Sequence, residues 1–186
     1  MTRAKTNIGR FKIPPVEATP LMIDQIRREL AAASRLDPYN GFEQAYVCLV
    51  KLALEEPEPE EFARLKRTVS KLPQAVTSRL LDLPQVDDLL NLTPPLETIL
   101  SHQKEELHAI ETAEAMTTIR TMRHTNPRKA LRSLVFVLKI IRNKREHGFK
   151  SADGPRDQEI LSAARAVVTA IAEECIATRV PLRKAK

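Results

Sequence analysis

Helical spacing dominates the chain from Pro20 onward. In LMIDQIRRELAAASRL the apolar residues at 22, 23, 26, 30 and 33 form one stripe at a 3.6-residue period. Asp37-Pro38 reads as a helix start with Pro at the first position, and the helix it opens is strongly apolar to about Leu54 (Ala45, Val47, Leu49, Val50, Leu52). Pro57 and Pro59 break it. A short amphipathic helix is expected over Glu60–Leu72, ended by Pro73. Leu80–Leu92, interrupted by Pro84, predicts two short helical pieces. Thr93-Pro94-Pro95 then opens a long helix to about His124. Its sparse apolar positions (96, 99, 100, 107, 110 and 116) predict an element that is largely solvated.

The next start signal is Asn126 as cap with Pro127 at the first helical position. The helix that follows, KALRSLVFVLKIIRNKREH, is apolar nearly all round. Leu131, Leu134, Val135, Leu138 and Ile141 line one face, and Phe136, Val137 and Ile140 spread round the others. Such a helix is buried against more than one neighbour, so it is either the central helix of a bundle or also faces a second subunit. Gly148 is expected to end it in the left-handed conformation. A last helix over Arg156–Arg179 carries Ile160, Ala164, Val167, Val168, Ile171 and Ile176. Before Pro20, Pro14-Pro15 excludes helix and no periodicity is visible. The organisation expected is an extended arm (1–19), an N-terminal helical layer (20–92), a helical bundle (93–180) and a basic tail (181–186). The fold class is all-α, a helical bundle of about six to seven helices.

Composition agrees. A chain of 186 residues suggests one domain that buries a core without metals or disulfides, and only four glycines argue against a turn-rich β fold. Cys48 and Cys175 sit far apart in apolar helical stretches, outside any CxxC pair, and are expected to be buried thiols. No secretory segment opens the chain, and no apolar run, Leu134 to Leu138 included, approaches a membrane span. A soluble, cytoplasmic protein is expected.

Charge changes the picture more. The chain is net +6, but unevenly so: 51–116 is acidic, whereas 117–150 holds ten Lys or Arg and one acid, Glu146. Such a block suits phosphate binding, and equally a solvated or partner-facing basic surface; the acidic middle could also pair with the basic end inside one chain. His102, His108, His124 and His147 share no metal-ligand spacing, so no metal or other cofactor is expected. There is no GxxxxGK[ST], GxGxxG or GxSxG, which leaves nucleotide and hydrolase-elbow readings without support.

What remains is the segment IIRNKREHG at 140–148. Asn143 and His147 are i, i+4 neighbours, while Arg142 and His147 lie about 140° apart on a regular helix. They converge on one ligand if the helix end loosens or if Arg142 reaches round. A position in the last turn favours the protonated form of His147 through the helix dipole. A nuclease that uses the RNA 2′-OH as nucleophile needs a base, an acid and positive charge on the phosphorane, and no metal. His and Arg supply these functions. One His and one Arg are a thin set; two copies across a two-fold axis would double it.

IIRNKREHGFK resembles the Arg-x4–6-His motif of the HEPN domain superfamily, in its Arg-Asn-x-x-x-His form. The sharp match covers about ten residues, with looser architectural agreement over 94–180. The resemblance implies a four-helix core within 93–180 and, as in many members, a metal-independent ribonuclease of toxin–antitoxin or phage-defence type. It implies a homodimer with a composite site that leaves 2′,3′-cyclic phosphate ends, and an antitoxin or defence complex as a further partner. Arg142 and His147 would be catalytic, with Asn143 in support. Lys139, Lys144, Arg145 and Lys150 would grip RNA, or be plain solvated charges. The alternative is a catalytically inactive helical module of the same type that binds a partner protein, nucleotide or RNA. A helix-turn-helix reading of 125–141 fails because 134–141 is too apolar to lie in a groove.

Overall fold

A computed structural model describes residues 19–100, 106–146 and 154–179. Among them are nine helices and no strand: α1 (Pro20–Ala33), α2 (Pro38–Ala53), α3 (Glu61–Ser70), α4 (Gln74–Leu81), α5 (Pro84–Leu90), α6 (Leu96–Leu100), α7 (Glu106–Met122), α8 (Pro127–Glu146) and α9 (Pro155–Arg179). The arm at 1–18, Gly148 and the tail at 181–186 lie outside the described residues.

Local chemistry starts these helices. The Thr19 hydroxyl accepts from the Met22 amide and the Asp37 carboxylate from the Asn40 amide, each ahead of a proline at the first helical position. Asn126 does the same for α8, accepting from the Lys129 amide at 3.2 Å. Against the six to seven helices expected, two elements differ among the described residues. Pro73 does not only end α3; its extended backbone also opens α4 at Gln74, ahead of the expected start near Leu80. The long helix expected to run to His124 is described in two parts, α6 and α7.

Two helix pairs dominate, α2 on α9 and α7 on α8. The short α3 bridges them by packing on both α2 and α8, and α4 by packing on α8 and α9; α1 adds to α2 and α5 to α9. A single apolar core runs through both 20–92 and 93–180. Gly41 allows the closest approach. A Cβ there would lie 2.6 Å from the Ala33 carbonyl oxygen and 2.8 Å from the Arg165 Cδ, so the first turn of α2 meets both α1 and α9 only without a side chain.

α8 is the central helix. Leu131, Leu134, Val135, Val137, Leu138, Ile140 and Ile141 are all buried, against α7, α3 and α4 and to a lesser extent α6 and α9. Its all-round apolar character is therefore accounted for inside one chain. Among the described side chains of α7, Thr112, Ala115, Met116 and Ile119 are buried in a narrow stripe and Ile110 is exposed, as its sparse pattern implies. Cys48 and Cys175 are both free and buried. No described helix is long and apolar enough to cross a membrane.

Candidate functional site

The apolar face of α8 sets where its polar end points. With Leu138 and Ile141 locked into the core, Arg142 leaves the helix toward α2 and α3. Its side chain is 21% exposed. The guanidinium carbon stands 5.3 Å from the centroid of the Tyr46 ring, within cation–π range. Nε lies 3.5 Å from a Glu43 carboxylate oxygen, and one terminal nitrogen 3.7 Å from a Glu61 oxygen. Glu43 and Tyr46 are i, i+3 neighbours on α2, and Glu61 opens α3. These separations exceed the ~2.7–2.9 Å of a tight charge-assisted bond. Arg142 is thus set among two carboxylates and a ring.

Tyr46 completes the arrangement. Its ring is fully buried against Phe42, at a centroid distance of 6.0 Å, and its hydroxyl donates to Glu61 at 3.5 Å. Burial, with the Glu61 charge beside it, holds the phenol far above its ordinary pKa, so it stays a neutral donor and a flat platform under the guanidinium.

Asn143 is half-buried on the next position of α8. Lys139, one turn back, is also half-buried, with Nζ 4.9 Å from the centroid of the Phe62 ring. Lys144 and Arg145 continue the backbone of α8, but their side chains, together with His147 and Lys150, lie outside the described residues. Within these limits the structure brings together Arg142, Asn143 and Lys139 on the end of α8, and adds three residues that sequence reasoning missed: Glu43, Tyr46 and Glu61. Their only advance signal is the spacing of Glu43 and Tyr46 on one face of a helix; nothing local ties them to position 142.

The basic block at 117–150 resolves into two kinds of cation. Arg120 donates to the Leu90 carbonyl, and Arg123 reaches Asp87 at 2.6 Å and Asp82 at 3.2 Å. The bond to Asp87 holds Arg123 still more firmly in its charged form. Arg123, and Arg142 through Glu61, realise the pairing of acidic middle with basic end inside one chain. Arg128, Lys129 and Arg132 are exposed and make no ion pair among the described residues. Among those residues no three His, Cys, Asp or Glu are grouped to hold a metal ion. Two shallow grooves, between α5 and α9 and between α1 and α9, are lined by neither Arg142 nor its partners. No family model, curated protein or solved structure matches this chain.

Proposed function

We propose that this chain is a cytoplasmic, metal-independent endoribonuclease of HEPN type, with a HEPN-like four-helix core. It would act as a homodimer in a toxin–antitoxin or phage-defence system. The observation that carries the reading is the posture of Arg142: charged, partly exposed, and set among Glu43, Glu61 and the Tyr46 ring near the end of a helix buried on most sides. A rigid mount of this kind suits a group that must meet developing charge on a phosphorane, since preorganised charge needs no reorganisation at the moment of reaction. In this reading His147 moves the proton between the 2′-OH, the phosphorane and the leaving oxygen, Asn143 supports it, and Lys144, Arg145 and Lys150 hold the RNA. Because the apolar faces of α8 are covered within the chain, a two-fold pairing would bring together the polar ends of α8 rather than its apolar flank.

The test is incubation of purified wild-type and His147→Ala protein with total RNA in EDTA, followed by end-group analysis. Cleavage by the wild type alone, leaving cyclic-phosphate ends, is expected. Cleavage at an equal rate by the variant would remove His147 from the mechanism.

One observation favours a second reading, a non-catalytic helical module for a partner protein, nucleotide or RNA. The carboxylates of Glu43 and Glu61 already neutralise much of the Arg142 charge. If Arg142 only knits α8 to α2 and α3, RNA stays intact under every condition and Arg142→Ala acts on stability alone.

A further inference from the structure

Around Phe62, the seam between α3 and α8 gathers cations that make no ion pair among the described residues. Phe62 of α3 and Phe136 of α8 are half-buried and pack against each other, centroids 5.6 Å apart. Two lysines converge on the Phe62 ring: Lys66 with Nζ 4.7 Å from its centroid and Lys139 at 4.9 Å. Both ammonium groups therefore lie within about 10 Å of each other, and neither has a carboxylate partner among the described residues. The ring attracts each of them, but each attraction is small, of order 0.5–1 kcal/mol at an exposed site, and the two charges repel. Such an arrangement is stabilised by an anion between or beside the lysines.

The seam also has direction. Arg128, Arg132 and Lys139 fall within about 40° of one another on the wheel of α8, so they form one stripe about 16 Å long. Arg128 and Arg132, like the two lysines, carry no acid partner among the described residues. This sets the stripe apart from Arg123 and Arg142, whose charges are answered inside the chain. The stripe runs along α8 toward Asn143 and Arg142. A row of unanswered cations on a helix, joined from the side by a fourth, matches the repeating charge of a polynucleotide backbone better than it matches a single anion.

We infer that the α3–α8 seam, Arg128, Arg132, Lys139 and Lys66 around the Phe62 ring, is the track that binds the phosphate backbone of single-stranded RNA and leads it to the end of α8. The choice of RNA as the polyanion rests on the function proposed above; the binding itself does not depend on cleavage. Contact is through phosphates, so the track is indifferent to base sequence.

The experiment uses the full-length chain carrying His147→Ala and a fluorescently labelled single-stranded RNA of mixed sequence. Anisotropy is followed as salt is raised. In this background the double change Lys66→Gln with Lys139→Gln is expected to weaken binding about tenfold at moderate salt and to flatten the slope of log affinity against log salt by about 1.4, two phosphate contacts on a single strand. The reference is Arg27→Gln with Arg28→Gln on α1, which removes the same charge from an exposed face elsewhere, with thermal melts confirming that both fold. Equal weakening by the two doubles, an unchanged slope for the lysine pair, or no RNA binding by the parent protein would each overturn the track. If wild-type protein leaves RNA intact while binding still depends on the lysine pair, the nuclease reading falls and the track stands.

Discussion

Two arginines near helix ends reach toward α2 and its flanks, Arg142 at Glu43 and Tyr46 and Arg179 at Leu52 and Glu55, and they differ in how they are held. Arg179, at the end of α9, is 18% exposed; Arg142, near the end of α8, is 21% exposed. Burial does not separate them, but contact geometry does. Arg179 donates to Glu55 at 2.6 Å, to the Cys175 carbonyl at 2.9 Å and to the Leu52 carbonyl at 3.0 Å. It thereby ties the end of α2, at the Leu52 carbonyl, to the end of α9, at the Cys175 carbonyl, which also accepts from the Thr178 hydroxyl at 3.0 Å. Arg142 meets its two carboxylates at 3.5 and 3.7 Å and leans on a ring. The first is a clamp between two helix ends. The second is a charge set among two carboxylates and an aromatic ring.

The largest effect that this contrast implies is on turnover. Arg142→Ala should lower RNA cleavage by about 10²–10³-fold, the usual result of removing one group that stabilises transition-state charge. The same change should cost about 1 kcal/mol of stability, the usual worth of an ion pair that keeps some contact with water. Affinity for RNA should move far less than turnover, since other cations share the phosphates. Cleavage kinetics beside a urea melt measure all of this. Intact cleavage together with a large drop in stability would make Arg142 a second clamp and favour the binding module.

Arg179→Ala should do the reverse. Three short bonds, one to a carboxylate, are lost at a site largely closed to water. The expected cost is about 2–3 kcal/mol, read as a lower urea midpoint with unchanged m-value, at undiminished RNA cleavage for the fraction that is folded. A cost under about 0.5 kcal/mol would mean that the ends of α2 and α9 are held by their apolar contacts alone.

The contrast between the two arginines was invisible in the sequence, and the reason is physical. Helix starts are local: Asp37-Pro38 and Asn126-Pro127 carry their cap and their proline side by side, and both were legible. The burial of α8 was legible as well, because seven buried apolar residues between 131 and 141 leave few faces for water. The double role of Pro73 was not, since a proline that stops one helix reads the same as one that opens the next. Charge pairing was legible only as a balance between an acidic middle and a basic end. Which acid meets which base spans 36 residues for Arg123 and Asp87 and 124 for Arg179 and Glu55. Partners that distant are chosen by how the α2–α9 and α7–α8 pairs pack, not by neighbouring residues. At the candidate site, Arg142 stood out through its motif, whereas Glu43, Tyr46 and Glu61 belong to other helices and carried no mark.

A further effect concerns pH and distinguishes the core behind Arg179 from the surface around Arg142. Burial pushes the Cys48 thiol up to about 12, with the Glu29 charge adding to it, and burial pushes Cys175, four residues before Arg179, up to about 11. A thiol in the unfolded chain loses its proton near its ordinary value of about 8.5. Above that pH the unfolded state binds fewer protons than the folded one, so stability falls as pH rises; below it the contribution is fully present. Each thiol should therefore remove about 1.4 kcal/mol per pH unit, from about 9 until the folded thiol itself ionises. Urea midpoints measured from pH 8 to 10.5 should decline over this window, and Cys175→Ala should flatten the decline, even though the truncation itself costs some stability at pH 8. A decline of unchanged slope in that variant would show that Cys175 meets water in the native state, and that the end of α9 is looser than the short bonds of Arg179 imply.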